Sequence, residues 1–427
     1  MSLVIKPGSA EPGFSHDVSR DAPALPDEPA SMPAIVNFES ELKKSSTDAS
    51  SASSPDAVFQ ALESCLVEQQ DFHRLFDAKL IRVRYQLGLP ITQPTSLKSV
   101  PPEHDAAFRA AYTQAAREVG HLFLAAGQLP DAWAYLRTIH EPQPVRDAIE
   151  RRISELIPEP GPQIDELLNL ALYEGAHVVE GLKLLLKMNG ICNTVTAMGQ
   201  LLPQMSPQER RQAAAVLVQT IYSDLLHNVQ RDVERRKPLL TPVSSLRELI
   251  TGREFLFAEG GYHVDVSHLH SIVSFARHLE RSDPELRLAI ELAQYGAQLA
   301  EPLRYPADVP FDDYYVANQH FLQAVAGVDV DEALAYFIER LNQEPDLNDK
   351  RMIAFVIVDL GQRVGQVNRA LEAAAPFVSR LEDPNGFSFT AFCVDAGRCD
   401  VLEAAAREND DVLAFATAQL AKGRQHS

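Results

Sequence analysis

From Pro55 almost to the C-terminus, apolar side chains return every third or fourth position, and Gly or Pro repeatedly interrupts them. That period belongs to helices burying one face, so it restricts the chain to helices packed on helices. Phe59, Leu62, Leu66, Phe72, Phe76, Leu80, Val83 and Leu87 form the first stripe, with Asp56 placed to cap it and Gly88 and Pro90 to end it. The same pattern predicts helices near 104–126, 130–140, 163–188, 207–236, 284–300, 313–326, 331–343, 347–364, 366–380 and 398–421. Ser206-Pro207-Gln208-Glu209 has the spacing of a capping box, in which Ser and Glu satisfy each other's backbone N–H groups. The expected class is all-α, with helical hairpins stacked as an α-solenoid.

A chain of 427 residues exceeds one ordinary core, and its composition divides it further. Residues 1–54 are rich in Pro, Ser, Asp and Ala, with seven prolines from Pro7 to Pro55, and read as a disordered arm that cannot offset its ordering entropy. Within it, Ile35-Val36-Asn37-Phe38 is either a docking peptide or an incidental apolar patch. Residues 55–240 form an N-terminal helical block and 284–427 a C-terminal helical-repeat block. Between them, 241–283 reads as an insertion with a His-rich helix start. Its Phe255-Leu256-Phe257-Ala258 and Tyr262-His263-Val264-Asp265-Val266 flank Gly260-Gly261, which predicts a small β-hairpin near 254–266 or, alternatively, an irregular loop.

The formal charge of −20, from 39 basic and 59 acidic side chains, repels a phosphate backbone and argues against nucleic acid as a partner. Arg231 to Lys237 is the most basic short stretch, and it reads as cations complementing a helix C-terminus. Four cysteines, Cys65, Cys192, Cys393 and Cys399, are too few for a disulfide framework and fit a reducing compartment. No secretory signal and no membrane span is expected, since neither a basic lead with an apolar run nor a stretch of about 18 apolar residues occurs. A cytoplasmic protein is the expectation.

The stretch Gly120-His-Leu-Phe123-Leu-Ala-Ala-Gly127-Gln-Leu129-Pro-Asp-Ala132-Trp-Ala-Tyr-Leu136, followed by Pro144, resembles the tetratricopeptide repeat. The family's first-helix glycine falls on Gly120, its aromatic on Phe123 and its turn glycine on Gly127. Leu129, Ala132, Leu136 and Pro144 match the residues that follow. Ala116 stands where the family has Trp. Looser echoes occur at Ala333, Phe337 and Pro345, at Gly365, Val367 and Ala370, and near Gly397, so that units near 113–146, 314–345 and 351–384 are suggested. The resemblance implies a solenoid with a groove for protein segments. A non-repetitive helical domain is the alternative.

Phosphate-loop, dinucleotide, zinc-protease and nucleophile-elbow motifs are missing. One constellation carries candidate chemistry: His263, Asp265 and His268, with His227 from the preceding long helix, are residue types that ligate a divalent metal. Against this, His268 shares a helical stripe with Ile272, Phe275 and Leu279, and Asp265 or Ser267 is placed to cap that helix. Asn189 to Thr194 marks a helix end around Cys192. Asp312-Asp313-Tyr314-Tyr315 reads as an acidic, aromatic edge or as a helix start. The expected function is a protein or peptide scaffold whose acidity favours basic partners. A metal-dependent hydrolase built on His263, Asp265 and His268 is the alternative. No cofactor beyond that metal is called for, and self-association is a third expectation.

Overall fold

The computed structural model describes residues 34–45, 54–155, 161–236, 245–379 and 387–425. Every regular element among them is helical, as the sequence pattern requires. The chain divides into two compact units, residues 1–126 and 127–427, with the division at the turn glycine Gly127.

The first unit contains α1 (Ala34–Ser45), α2 (Pro55–Glu68), α3 (Phe72–Gln86) and α4 (Pro102–Ala125), each packed on the next. The single helix expected from Asp56 to Gly88 is broken: Gln70 takes a left-handed φ of 55° and Asp71 restarts the chain by accepting from the Arg74 N–H at 3.2 Å. Ser54, rather than Asp56, caps α2. The apolar stripe survives this break, because Phe59, Leu66, Phe72, Phe76 and Leu80 are all buried. Helix α1 lies within the 1–54 stretch expected to be a disordered arm. It lies against α2, leaving Ile35 61% exposed. The rest of that arm, 1–33 and 46–53, lies outside the described residues.

Arg84 is completely buried at the end of α3. Its guanidinium donates to the carbonyls of Pro94 (2.8 Å), Pro90 (3.0 Å) and Ser96 and to Ser99 Oγ (3.1 Å), and lies 4.8 Å from the centre of the Phe108 ring. One side chain thereby organises the irregular segment 87–101.

The second unit runs through α5 (Leu129–Leu136), α6 (Gln143–Glu155), α7 (Pro162–Leu168), α8 (Val178–Leu201), α9 (Pro207–Arg236), α10 (Leu246–Ile250), α11 (Val266–Phe275) and α12 (Glu285–Gln298). It continues with α13 (Tyr314–Val325), α14 (Val330–Gln343), α15 (Leu347–Arg363), α16 (Val367–Val378), α17 (Phe389–Asp395), α18 (Cys399–Asn409) and α19 (Val412–Gln425). From α13 onward each helix packs chiefly on its neighbours in sequence, the pattern of stacked hairpins in an α-solenoid. One continuous core links Leu182 on α8 to Ala418 on α19.

The hairpin turns share a mechanism. Gly327, Gly365 and Gly397 adopt φ of 81°, 75° and 70°. In each turn the following N–H reaches back five residues, from Val328 to Gln323 O (2.9 Å), Gln366 to Gly361 O (2.8 Å) and Arg398 to Cys393 O (2.8 Å). Left-handed backbone there satisfies helix-end carbonyls, which glycine does without a Cβ penalty. Two expected helices are again divided. The 163–188 stretch contains a π turn at Asn169–Tyr173, and the 398–421 stretch is broken at Asp410, whose φ is 56°.

The 241–283 segment, expected as an insertion, is part of the core: α10 and α11 both pack on α9 and α12, and Leu246, Leu249, Leu256, Leu269 and Ile272 are buried. Its β-hairpin does not form. Glu254–Leu256 and Ala258–Gly260 are 3₁₀ turns, because the apolar Leu256 and Phe257 find a helical surface rather than a strand to pair with. Two other capping expectations hold. Ser206 N–H donates to Glu209 Oε2 (2.9 Å) while Glu209 N–H donates to Ser206 Oγ (3.3 Å), and Asp265 caps α11. Tyr314 and Tyr315 do not form a presented edge, being 5% and 2% exposed in the α12–α13 seam.

A polar clamp ties α9 to the 280–283 turn. Arg211 donates to both Asp283 oxygens (2.7 to 2.9 Å), to Glu280 (2.5 Å) and to Ser282 (2.7 Å). Burial pushes the Asp283 carboxyl up, but the Arg211 bonds, the Glu280 N–H and the charges of Arg211 and Arg363 outweigh it and hold the group below its ordinary value. Such a group stabilises the fold above its unfolded pKa, and the contribution is lost as pH falls through the folded value. Asp283→Asn should therefore cost about 1–2 kcal/mol at pH 7 and flatten acid unfolding below about pH 4. Urea titrations from pH 7 to pH 3 would measure both effects.

Candidate functional site

Helix α9 buries Leu225, Val229 and Val233 and turns Asn228, Arg231, Arg235 and Arg236 outward. The segment 254–265 forms the opposite wall. It is held close because Gly261 lies where a Cβ would sit 2.5 Å from the Leu256 carbonyl oxygen, room that only glycine leaves. The Phe257 ring packs 5.2 Å from the ring of Tyr295 on α12. Asn228 Nδ2 donates to the His263 carbonyl at 3.0 Å, stitching this wall to α9.

His263 is fastened at three points. Its N–H donates to Tyr295 Oη (2.9 Å), Nδ1 lies 2.9 Å from the same oxygen, and Nε2 lies 3.4 Å from Asp232. The Tyr295 hydroxyl can accept from the backbone and donate to Nδ1, an arrangement that leaves Nε2 facing Asp232. Burial raises the Tyr295 hydroxyl above the ordinary tyrosine value, so it remains a donor. Tyr295→Phe removes two hydrogen bonds within one buried contact and should cost about 1–2 kcal/mol. A double-mutant cycle with His263→Ala should show coupling rather than additivity in thermal melts.

The two walls enclose a cleft of about 600 Å³ lined by Arg231, Arg235, Arg236, Phe255, Tyr262 and His263, among others. Tyr262 is 57% exposed. Arg236 lies 5.0 Å over the Phe255 ring and 3.5 Å from Asp232. Among the described residues, Arg231 and Arg235 make no ion pair and no side-chain hydrogen bond.

A second cavity of about 330 Å³ shares Asn228, Val264 and Asp265 with the cleft and adds Cys192, Asp224, His227 and His268. Three of the candidate ligands, His227, Asp265 and His268, thus line one cavity, while His263 lines only the cleft. Asp265 is engaged as a cap, accepting from Ser267 N (2.9 Å), Ser267 Oγ (2.5 Å) and His268 N (3.3 Å). The Ser267 hydroxyl is the main cause holding its carboxyl below the ordinary range. Among the described residues, no three His, Cys, Asp or Glu side chains are grouped so as to hold a metal ion. His270 is a packed residue, its ring stacked on Tyr314 at 3.8 Å, with burial and then Arg277 pushing its pKa down.

The arginine and aromatic walls of the cleft escape a reading of the sequence. Arg231 and Arg235, four apart, share a helix face, but equivalent cations commonly finish a helix next to its dipole. Nothing in the local sequence marks Tyr295 as the partner of His263. Among the described residues, no helix is long and apolar enough to cross a membrane. No family model, no curated protein and no solved structure matches this chain.

Proposed function

We propose that the chain is a tetratricopeptide-like helical scaffold of the cytoplasm that binds a segment of a partner protein in the cleft between α9 and residues 254–265. The observation that carries this reading is the pairing of exposed Tyr262 and Phe255 with arginines on a wall fixed by hydrogen bonds. Tyr and Arg are the residue types that dominate interface energetics, and a pre-formed wall reduces the ordering cost of binding. The repeat assignment is supported by the turns at Gly127, Gly365 and Gly397. Each has positive φ and a helix starting two residues later, and Ala132, Ala370 and Leu402 are buried five residues on. The cytoplasmic assignment is supported by the free thiols of Cys192, Cys393 and Cys399, with the buried Cys393 thiol pushed up to about 12 by desolvation.

The metal-dependent hydrolase has less in its favour: His263 would have to leave Tyr295 and Asp265 would have to leave the start of α11. Display selection of random linear peptides on the full chain tests the scaffold. The expected result is an enriched consensus whose affinity falls about tenfold on Tyr262→Ala, a substitution at an exposed site. Enrichment of nothing above background, or binding that ignores Tyr262, would sink the reading.

A further inference from the structure

We infer that the cleft takes carboxylate or phosphate side chains of an acidic protein segment, and that Arg231 and Arg235 read that charge. The inference rests on the scaffold reading and names the partner's chemistry. It also reverses the expectation of a basic partner at this site.

In a chain with 59 acidic and 39 basic side chains, a cation has many carboxylates to choose from. Arg82, Arg211, Arg340, Arg369, Arg398 and Arg407 all find one. Among the described residues Arg231 and Arg235 find none, although both line the larger cleft. Among the described residues, the two carboxylates that line it are already occupied. Asp265 caps α11, and Asp232 is shared by Arg236 and His263. The described side chains of the cleft therefore carry an excess of positive charge within an acidic molecule.

Arginines four apart on a helix lie side by side, so their forks can converge on one carboxylate or phosphate or on two adjacent ones. The low-dielectric walls of a cleft concentrate the field of such a pair. Tyr262 and Phe255 supply apolar contact for the neighbouring parts of a peptide. A long polyanion is disfavoured, because beyond the cleft it would run across a surface belonging to a chain of charge −20. A segment with one or two anionic groups meets no such penalty. Net charge governs encounter at long range, whereas the contacts that fix register are set by these local groups.

The test compares peptide selections on the full chain and on an Arg231→Glu/Arg235→Glu variant, both substitutions being at exposed positions and the fold checked by circular dichroism. Selected sequences are resynthesised with fluorescein in three forms, with Glu, with phosphoserine and with Lys at the charged positions, and titrated by anisotropy beside labelled oligothymidylate. The expected result is a consensus enriched in Asp and Glu, an affinity that falls about tenfold or more on charge reversal, and no binding of the Lys form. Tighter binding of the phosphoserine form than the Glu form would assign the phosphate, and the reverse order the carboxylate. A consensus without acidic positions, or one indifferent to the reversal, overturns the inference and leaves the scaffold standing. Oligothymidylate binding lost on reversal also overturns it, in favour of nucleic acid. Selection of no consensus at all removes the scaffold and this inference together.

Discussion

Arg84→Met is expected to destabilise the unit of residues 1–126 by about 2–4 kcal/mol, since several buried acceptors lose a charged donor at once. The side chain is fully buried and holds three carbonyls and a hydroxyl of the segment 90–99. Those acceptors have no substitute donor in Met and would have to be rehydrated, which forces the segment open. Arg84→Lys keeps the charge but has a single point of donation, so it should recover little. Hydrogen exchange on the full chain is the direct measurement. Loss of protection should centre on residues 87–101 and on Phe108, whose ring the guanidinium covers. An unchanged urea midpoint for Arg84→Met would show that the segment holds itself together without the guanidinium.

The second large effect is a reversal of the usual sign of a glycine substitution. Inside an exposed helix, Gly→Ala stabilises by about 0.5–1 kcal/mol, and Gly199 on α8 should behave so, since a Cβ there meets nothing within 4 Å. Gly296 on α12 should do the opposite. A Cβ there falls within the ring of Tyr315, which is 2% exposed and has no free volume to enter. Overpacking of this kind costs about 1–3 kcal/mol, enough to outweigh the gain in propensity. Gly296→Ala should therefore lower the melting temperature while Gly199→Ala raises it, and Tyr315→Leu should partly rescue the first. Both glycines stabilising on replacement would mean that α12 and α13 are not in close contact.

The contrast between those two glycines shows how far the sequence could be read. Apolar periodicity identified most of the longer helices, because the core-facing stripe is a local property of each element, whereas α6, α10 and α17 were not read. Breaks within a stripe were not legible. Gln70 and Asp410 turn the chain with ordinary polar side chains in left-handed conformations, and the spacing of apolar residues continues across both. The mid-chain aromatic segment read as a β-hairpin or a loop, because Phe and Val around Gly-Gly carry the same composition whether they pair with a strand or settle on a helix. Asp265 was legible as a cap because capping depends on residues within one turn. The cleft was not, since its walls come from α9 and from residues some thirty positions later. The Arg84 network was missed for a related reason: a cation inside a helical stripe gives no sign that several carbonyls await it.

The clamp on Arg211, the Tyr295 bond to His263 and the packing of α10 and α11 on both α9 and α12 cross-brace the middle of the second unit. From α13 to α19, by comparison, contacts are chiefly with the adjacent helix. A linear stack of that sort comes apart from its free end one layer at a time, whereas the braced region must yield as a block. The cleft would thus keep its shape while the outermost layers fray, and length could be added to or trimmed from the far end with little consequence for what the chain holds.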